Sequence, residues 1–122
     1  MDFQKREIYR SIAEVAYVIA KADRGLSPTE RMAFNEIIRE ELDYESWVAE
    51  SRFELLDEVL NPTPEEAYKQ AMADFKKYKN ALTPELKEKA RRVVQRVAES
   101  CCGFSAKEGL IIGRFENDLD AL

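Results

Sequence analysis

Ala20-Lys21-Ala22-Asp23-Arg24-Gly25-Leu26-Ser27-Pro28-Thr29-Glu30-Arg31 recurs in weaker form as Ala98-Glu99-Ser100-Cys101-Cys102-Gly103-Phe104-Ser105-Ala106-Lys107-Glu108-Gly109. The two stretches align without a gap at a constant offset of 78 positions. Ala20 matches Ala98, Gly25 matches Gly103, Ser27 matches Ser105, Glu30 matches Glu108, and apolar Leu26 stands opposite apolar Phe104. Each copy reads as the end of one helix, a glycine suited to a left-handed terminator, and the Ser-capped start of a second helix.

The same punctuation runs through the rest of the chain. Ser27-Pro28-Thr29-Glu30 and Thr63-Pro64-Glu65-Glu66 are capping boxes with proline at the first helical position. Thr83-Pro84-Glu85 carries its acid one position early, and Ser105-Ala106-Lys107-Glu108 lacks the proline. Between these marks apolar residues recur at three and four. The spacing predicts six helices: about Phe3 to Ala22, Pro28 to Leu42, Tyr44 to Leu60, Pro64 to Lys79, Pro84 to Ser100 and Ala106 to Leu119. The inward faces would carry Ile8, Ile12, Val15, Ala16 and Ile19 on the first helix and Phe34, Ile37, Ile38 and Leu42 on the second. Trp47, Val48, Leu55, Leu56 and Val59 would face inward on the third, and Tyr68, Met72 and Phe75 on the fourth. Leu86, Ala90, Val93, Val94 and Val97 would do so on the fifth, and Leu110, Ile111, Phe115 and Leu119 on the sixth. No stretch alternates with period two for long enough to make a strand. The expectation is an all-α, single-domain bundle over residues 1–122, with the repeated turns related by an approximate twofold.

The 122 residues are long enough for one domain that buries roughly two thirds of the surface its unfolded chain exposes. A hydrophobic content of 45% with 35% charged residues fits a globular helical protein with a real core. The longest apolar run, Val15 to Ala20, is far below the ~20 residues that span a bilayer, and Met1 to Arg10 lacks a hydrophobic signal region. A cytoplasmic location without membrane insertion is expected. The net charge of −5 is unevenly spread: Lys76 to Arg96 holds eight basic residues against Glu85 and Glu88, a net +6, which leaves −11 for the remainder. Lys89, Arg92 and Arg96 fall on one stripe of the fifth helix. Such a stripe is either answered by acidic neighbours in the same chain or meets an acidic surface of a protein partner or second copy. The acidic Glu40 to Asp57 region is the candidate in that copy. Nucleic acid is not expected, because the whole-molecule charge repels phosphate.

The chain has no histidine, which removes the usual general base and the commonest zinc ligand. No phosphate-binding glycine loop and no nucleophile paired with a base is recognisable, so the protein reads as non-enzymatic. The first repeated turn brings Asp23, Glu30 and the Ser27 hydroxyl to one connection, oxygen donors of the kind that calcium or magnesium takes. A plain reading also accounts for them, with Glu30 closing the capping box and Asp23 a solvated helix end. The adjacent Cys101 and Cys102 are too close for an unstrained disulfide and fit a reducing compartment, one of them packing at a helix end. Trp47 and Phe53, aromatic residues near the acids, are candidates for a partner surface.

Ile19 to Glu30 resembles the A-x-A-D-G-x-(I/L)-S-x-x-E turn of the TerB-like, tellurite-resistance family of bacterial helical domains, whose two halves each carry such a turn. Ala98 to Glu108 occupies the matching place in the second half. The glycine here stands one position later than in that pattern, and Cys101 replaces the second aspartate. The resemblance implies a pseudo-twofold helical bundle, a protein-interaction role in stress response, and an acidic cluster for divalent cations. By position Asp23 and Glu30 would serve that cluster from the first turn, and Glu108 from the second. A self-associating or purely structural bundle is the alternative.

Overall fold

The computed structural model describes residues 3–22, 28–42, 45–100 and 106–122, and among them every regular element is helical. Helix α1 is Phe3–Lys21, α2 Pro28–Glu41 and α3 Trp47–Leu55, which widens without a break into a π-helical turn at Leu56–Leu60. Helix α4 is Pro64–Lys77, followed by a 3-10 turn at Lys79–Ala81, then α5 at Pro84–Glu99 and α6 at Ala106–Asp120. The expected helices are therefore present. Of the expected helix ends, Tyr44 lies outside the described residues.

Two of the four anticipated caps are visible, and both are formed. The Thr63 hydroxyl accepts from the Glu66 N–H at 3.2 Å while the Glu66 carboxylate accepts from the Thr63 N–H at 2.9 Å, a closed capping box. The Thr83 hydroxyl accepts from the Leu86 N–H at 3.1 Å. Ser27, Ser105, Gly25, Gly103, Cys101 and Cys102 lie outside the described residues.

Helix α1 is the hub. It packs against α4, α3 and α5, and buries Ile8, Tyr9 and every residue from Ser11 to Ile19. A helix apolar on nearly all sides has to be enclosed on nearly all sides. Helix α2 leans on α5, and α6 leans on α5 and α1. The 78-residue offset carries the last residue of α1 onto the last of α5 and the first of α2 onto the first of α6. The α2–α5 and α6–α1 contacts exchange under the same correspondence. Helices α3 and α4 have no such relation to the offset, and both enclose α1.

The predicted core is present over most of its length, with four exceptions. Trp47 (53%), Val59 (67%) and Leu110 (76%) are exposed, and Leu55 is at the exposed margin at 38%. Leu110 faces away because α6 is covered only on the side of Ile112, Phe115 and Leu119. Along α3 the buried residues are Val48, Ala49 and Phe53, and Leu56 opens the π turn. In that turn the Asn61 N–H bonds the Leu56 carbonyl at 2.8 Å, five residues back, so the α-helical spacing fails and Val59 and Leu60 leave the inward face. Asn61 then closes the segment in the left-handed conformation at φ 44°, which asparagine tolerates, and Pro62 prevents continuation. Among the described residues no helix is long and apolar enough to cross a membrane.

Candidate functional site

The residues proposed for a cation are only partly within view. Asp23 lies outside the described residues, as does the side chain of Glu30. Glu108 stands in the first turn of α6, where the N-terminal end of the helix dipole favours a carboxylate without any ion. Among the described residues no group of three or more Asp, Glu, Cys or His side chains is gathered closely enough to hold a metal.

The basic stripe of α5 is used within the chain. Arg92 donates to the Glu41 carboxylate at 2.9 Å, while Arg96 donates to Glu41 at 3.1 Å and to Glu40 at 2.5 Å. Burial opposes ionisation of Glu41, but the two guanidinium groups outweigh it and hold the carboxyl below its ordinary range. The two arginines thus clamp α2 to α5, so that acidic neighbours in the same chain answer Arg92 and Arg96, the first of the two readings of the stripe. Lys89 pairs with Glu85 one turn earlier at 3.5 Å.

Two other places stand out, and both involve α3. The first is its outer side. Four of the seven large apolar side chains exposed among the described residues, Trp47, Leu55, Val59 and Leu60, fall within Trp47 to Leu60. That stretch contains Glu50, Glu54, Asp57 and Glu58 and only one basic residue, Arg52, whose guanidinium turns inward. Trp47, the chain's one tryptophan, is propped by Arg6, which lies 5.7 Å from the ring centre and donates to Glu45 at 2.6 Å. Beside it runs a groove of about 220 Å³ between α2 and α3, lined by Asn35, Trp47, Ser51 and Glu54 among others. Phe53 was expected as an exposed partner to Trp47 and is instead buried. Its ring stacks on Phe34 at 3.9 Å and meets Tyr17 edge-on at 6.2 Å, joining α1, α2 and α3. The π turn is held from the other helices: Arg31 bonds Glu58 at 3.1 Å, Lys21 and Arg31 flank Asp57, and the Tyr17 hydroxyl donates to the Pro62 carbonyl at 3.2 Å.

The second place lies behind that side. Glu14 sits in the middle of α1 with 2% of its surface exposed, and Arg52 reaches it from α3 at 3.2 Å. Arg52 takes Oε2; Oε1 has no hydrogen-bond partner among the described groups. Burial pushes the carboxyl up to about 7, with Asp74 and Glu7 adding to the rise and Arg52 opposing it. Glu14 closes the floor of a cavity of about 550 Å³ between α1, α3 and α4, walled by Leu56, Leu60, Pro62 and Ala67, with Glu66 and Gln70 at its rim. Glu14 is not among the residues the sequence singles out. Its one signal is a lone acid inside the otherwise apolar run from Ile12 to Ala20.

Helix α6 is joined to α4 through a polar cluster. The Tyr68 hydroxyl donates to Asp118 at 2.5 Å, and Arg114 lies 4.1 Å from the Tyr68 ring centre while bonding both oxygens of Glu65. Burial and the Asp118 carboxylate together push the phenol well above its ordinary range, so it stays a donor. No protein-family model, curated protein or solved structure matches the chain.

Proposed function

We propose that this chain is a non-catalytic, TerB-like interaction domain that docks a protein partner on the outer side of α3 and its π turn. The observation that carries the reading is the concentration of exposed apolar side chains on Trp47 to Leu60, among which Glu54 and Glu58 are the exposed charges, while Arg39 pairs with Glu50 and Arg31 with Glu58. Exposed large apolar side chains concentrated on one segment are characteristic of interaction sites, and an exposed tryptophan held in place is a common anchor. The partner that fits is a helix or loop with apolar residues flanked by lysine or arginine. The stress-response setting rests on the resemblance of the Ile19 to Glu30 turn to that family.

Trp47 reports on its own surface. A helical peptide built from leucine and lysine, titrated into the protein, is expected to blue-shift Trp47 emission saturably and to protect it from iodide quenching. The same peptide with glutamate for lysine should do neither. The Val59→Asp, Leu60→Asp double variant is expected to lose the response. An unchanged spectrum with the basic peptide, or an equal response from the double variant, contradicts the reading.

A divalent cation at the first repeated turn belongs to the same resemblance. Asp23 and Glu30 offer the hard oxygen donors that calcium and magnesium prefer, whereas the helix dipole already accounts for Glu108. Calorimetric titration with calcium and magnesium, comparing wild type with Asp23→Asn, is expected to show heat only in the wild type. Equal heats remove Asp23 from the site.

A further inference from the structure

The cavity behind the π turn shares Leu60 with the partner surface in front of it and is otherwise lined by different residues. We propose that it binds a primary ammonium group carried on a short apolar chain, with the Glu14 carboxylate as the anion that receives it.

Three observations converge on that chemistry. The first is an acceptor without a donor: Arg52 occupies Oε2 of Glu14, and Oε1, nearly inaccessible to solvent, has no hydrogen-bond partner among the described groups. Leaving such an atom unmatched costs more than the average hydrogen bond gains, so a donor arriving there is strongly rewarded. The second is charge. Within the cavity Glu14 and Glu66 face a single cation, Arg52. Beyond its walls Glu7 on α1 and Asp74 on α4 both add negative potential at Glu14. Arg10 partly answers Glu7 at 2.7 Å, and Gln70 binds Asp74 without charge. An anionic ligand would find Arg52 already engaged and two carboxylates nearby. A neutral donor would satisfy Oε1 but leave the field unbalanced. The third is shape and lining. About 550 Å³ walled by Leu56, Leu60, Pro62 and Ala67 accommodates several methylenes, within the usual size of small-ligand sites.

An ammonium stabilises the ionised carboxylate, so it competes with the proton that burial holds on Glu14. Binding therefore expels that proton and tightens as pH rises through the range where Glu14 titrates. The ammonium has two possible origins, a free amine or the lysine side chain of a peptide, with the same chemistry in the cavity.

Calorimetric titration of the full chain with n-pentylamine at pH 6 and pH 8 tests the proposal, with 1-pentanol as the uncharged control. A blocked Ala-Ala-Lys-Ala-Ala peptide supplies the lysine arm. Expected are saturable binding of pentylamine or the peptide, about tenfold tighter at pH 8 than at pH 6, no comparable binding of pentanol, and loss of binding in Glu14→Gln. Tighter binding of pentylamine identifies a free amine, and tighter binding of the peptide identifies a lysine. In the wild type, carbon-detected NMR of the Glu14 carboxyl should show its midpoint falling when the ammonium ligand is added, a readout that does not depend on the variant folding. Absence of binding by both cations, pentanol binding as well as pentylamine, pH-independent affinity, or an unmoved Glu14 midpoint each overturns the proposal.

Discussion

Glu14 sets a pH dependence that the whole fold must carry. An ordinary carboxyl ionises near 4.5, whereas burial holds this one on α1 up to about 7. Below about pH 4.5 Glu14 is protonated both folded and unfolded and costs nothing. Between 4.5 and 7 the unfolded chain releases the proton that the folded chain keeps, so the folded state loses ground as pH rises, and above 7 the loss is complete. At 1.36 kcal/mol per unit the full effect is about 3 kcal/mol. Glu14→Gln has no such titration. Its stability relative to wild type is therefore expected to rise by about 3 kcal/mol from pH 4.5 to pH 8, read from urea unfolding curves. Comparing slopes with pH cancels the fixed cost of leaving Arg52 without its partner. Parallel pH profiles for the two proteins would show that Glu14 is not protonated in the fold. The pairing is hidden in the sequence because Arg52 lies 38 residues away and nothing local marks it as the partner. Glu14 is passed over in the sequence reading, its one local mark being that of a lone acid in an apolar run.

At the scale of the elements, the helices are legible because their signals are local. Thr63, Thr83 and the prolines after them mark starts, and three-and-four spacing marks faces. Thr63→Ala removes one half of a closed capping box and is expected to cost about 1 kcal/mol in chemical denaturation. The π turn at Leu56–Leu60 is not legible in this way, since Leu-Asp-Glu-Val-Leu carries the same apolar spacing as an ordinary helical turn. Contacts from elsewhere meet the turn: Arg31 on Glu58, Lys21 and Arg31 on Asp57, and Tyr17 on the Pro62 carbonyl. Without the turn, Val59 would follow Leu55 and Leu56 on the spacing that predicted it inward. With it, Val59 and Leu60 reach solvent. Buried and exposed positions of the same segment should then separate cleanly under mutation. Phe53→Ala, which empties the stack on Phe34, is expected to cost about 3 to 5 kcal/mol. Val59→Asp is expected to cost under about 0.5 kcal/mol. A large loss from Val59→Asp would mean that the α-helical register continues and the residue is inside.

For the whole molecule, part of the asymmetric charge visible in the sequence is answered inside it, through Arg91, Arg92 and Arg96. The net +6 of Lys76 to Arg96 holds α2 against α5 through Arg92 and Arg96, contacts that span more than 50 residues and that no local pattern announces. Charge reversal of both arginines places four carboxylates together. It is expected to lower stability by about 1 to 2 kcal/mol at low salt, with part recovered at high salt, and to leave the sedimentation coefficient unchanged. What remains exposed is the group of apolar side chains on the outer side of α3 and its π turn, Trp47, Leu55, Val59 and Leu60. The most direct measurement is site-specific photo-cross-linking in the cell of origin, with benzoylphenylalanine at position 59 and, as control, at the exposed position 107 on α6. The account predicts a discrete adduct of one mass from position 59, absent from position 107 and abolished by adding Leu60→Asp. No adduct from position 59, or the same adducts from both positions, would contradict it.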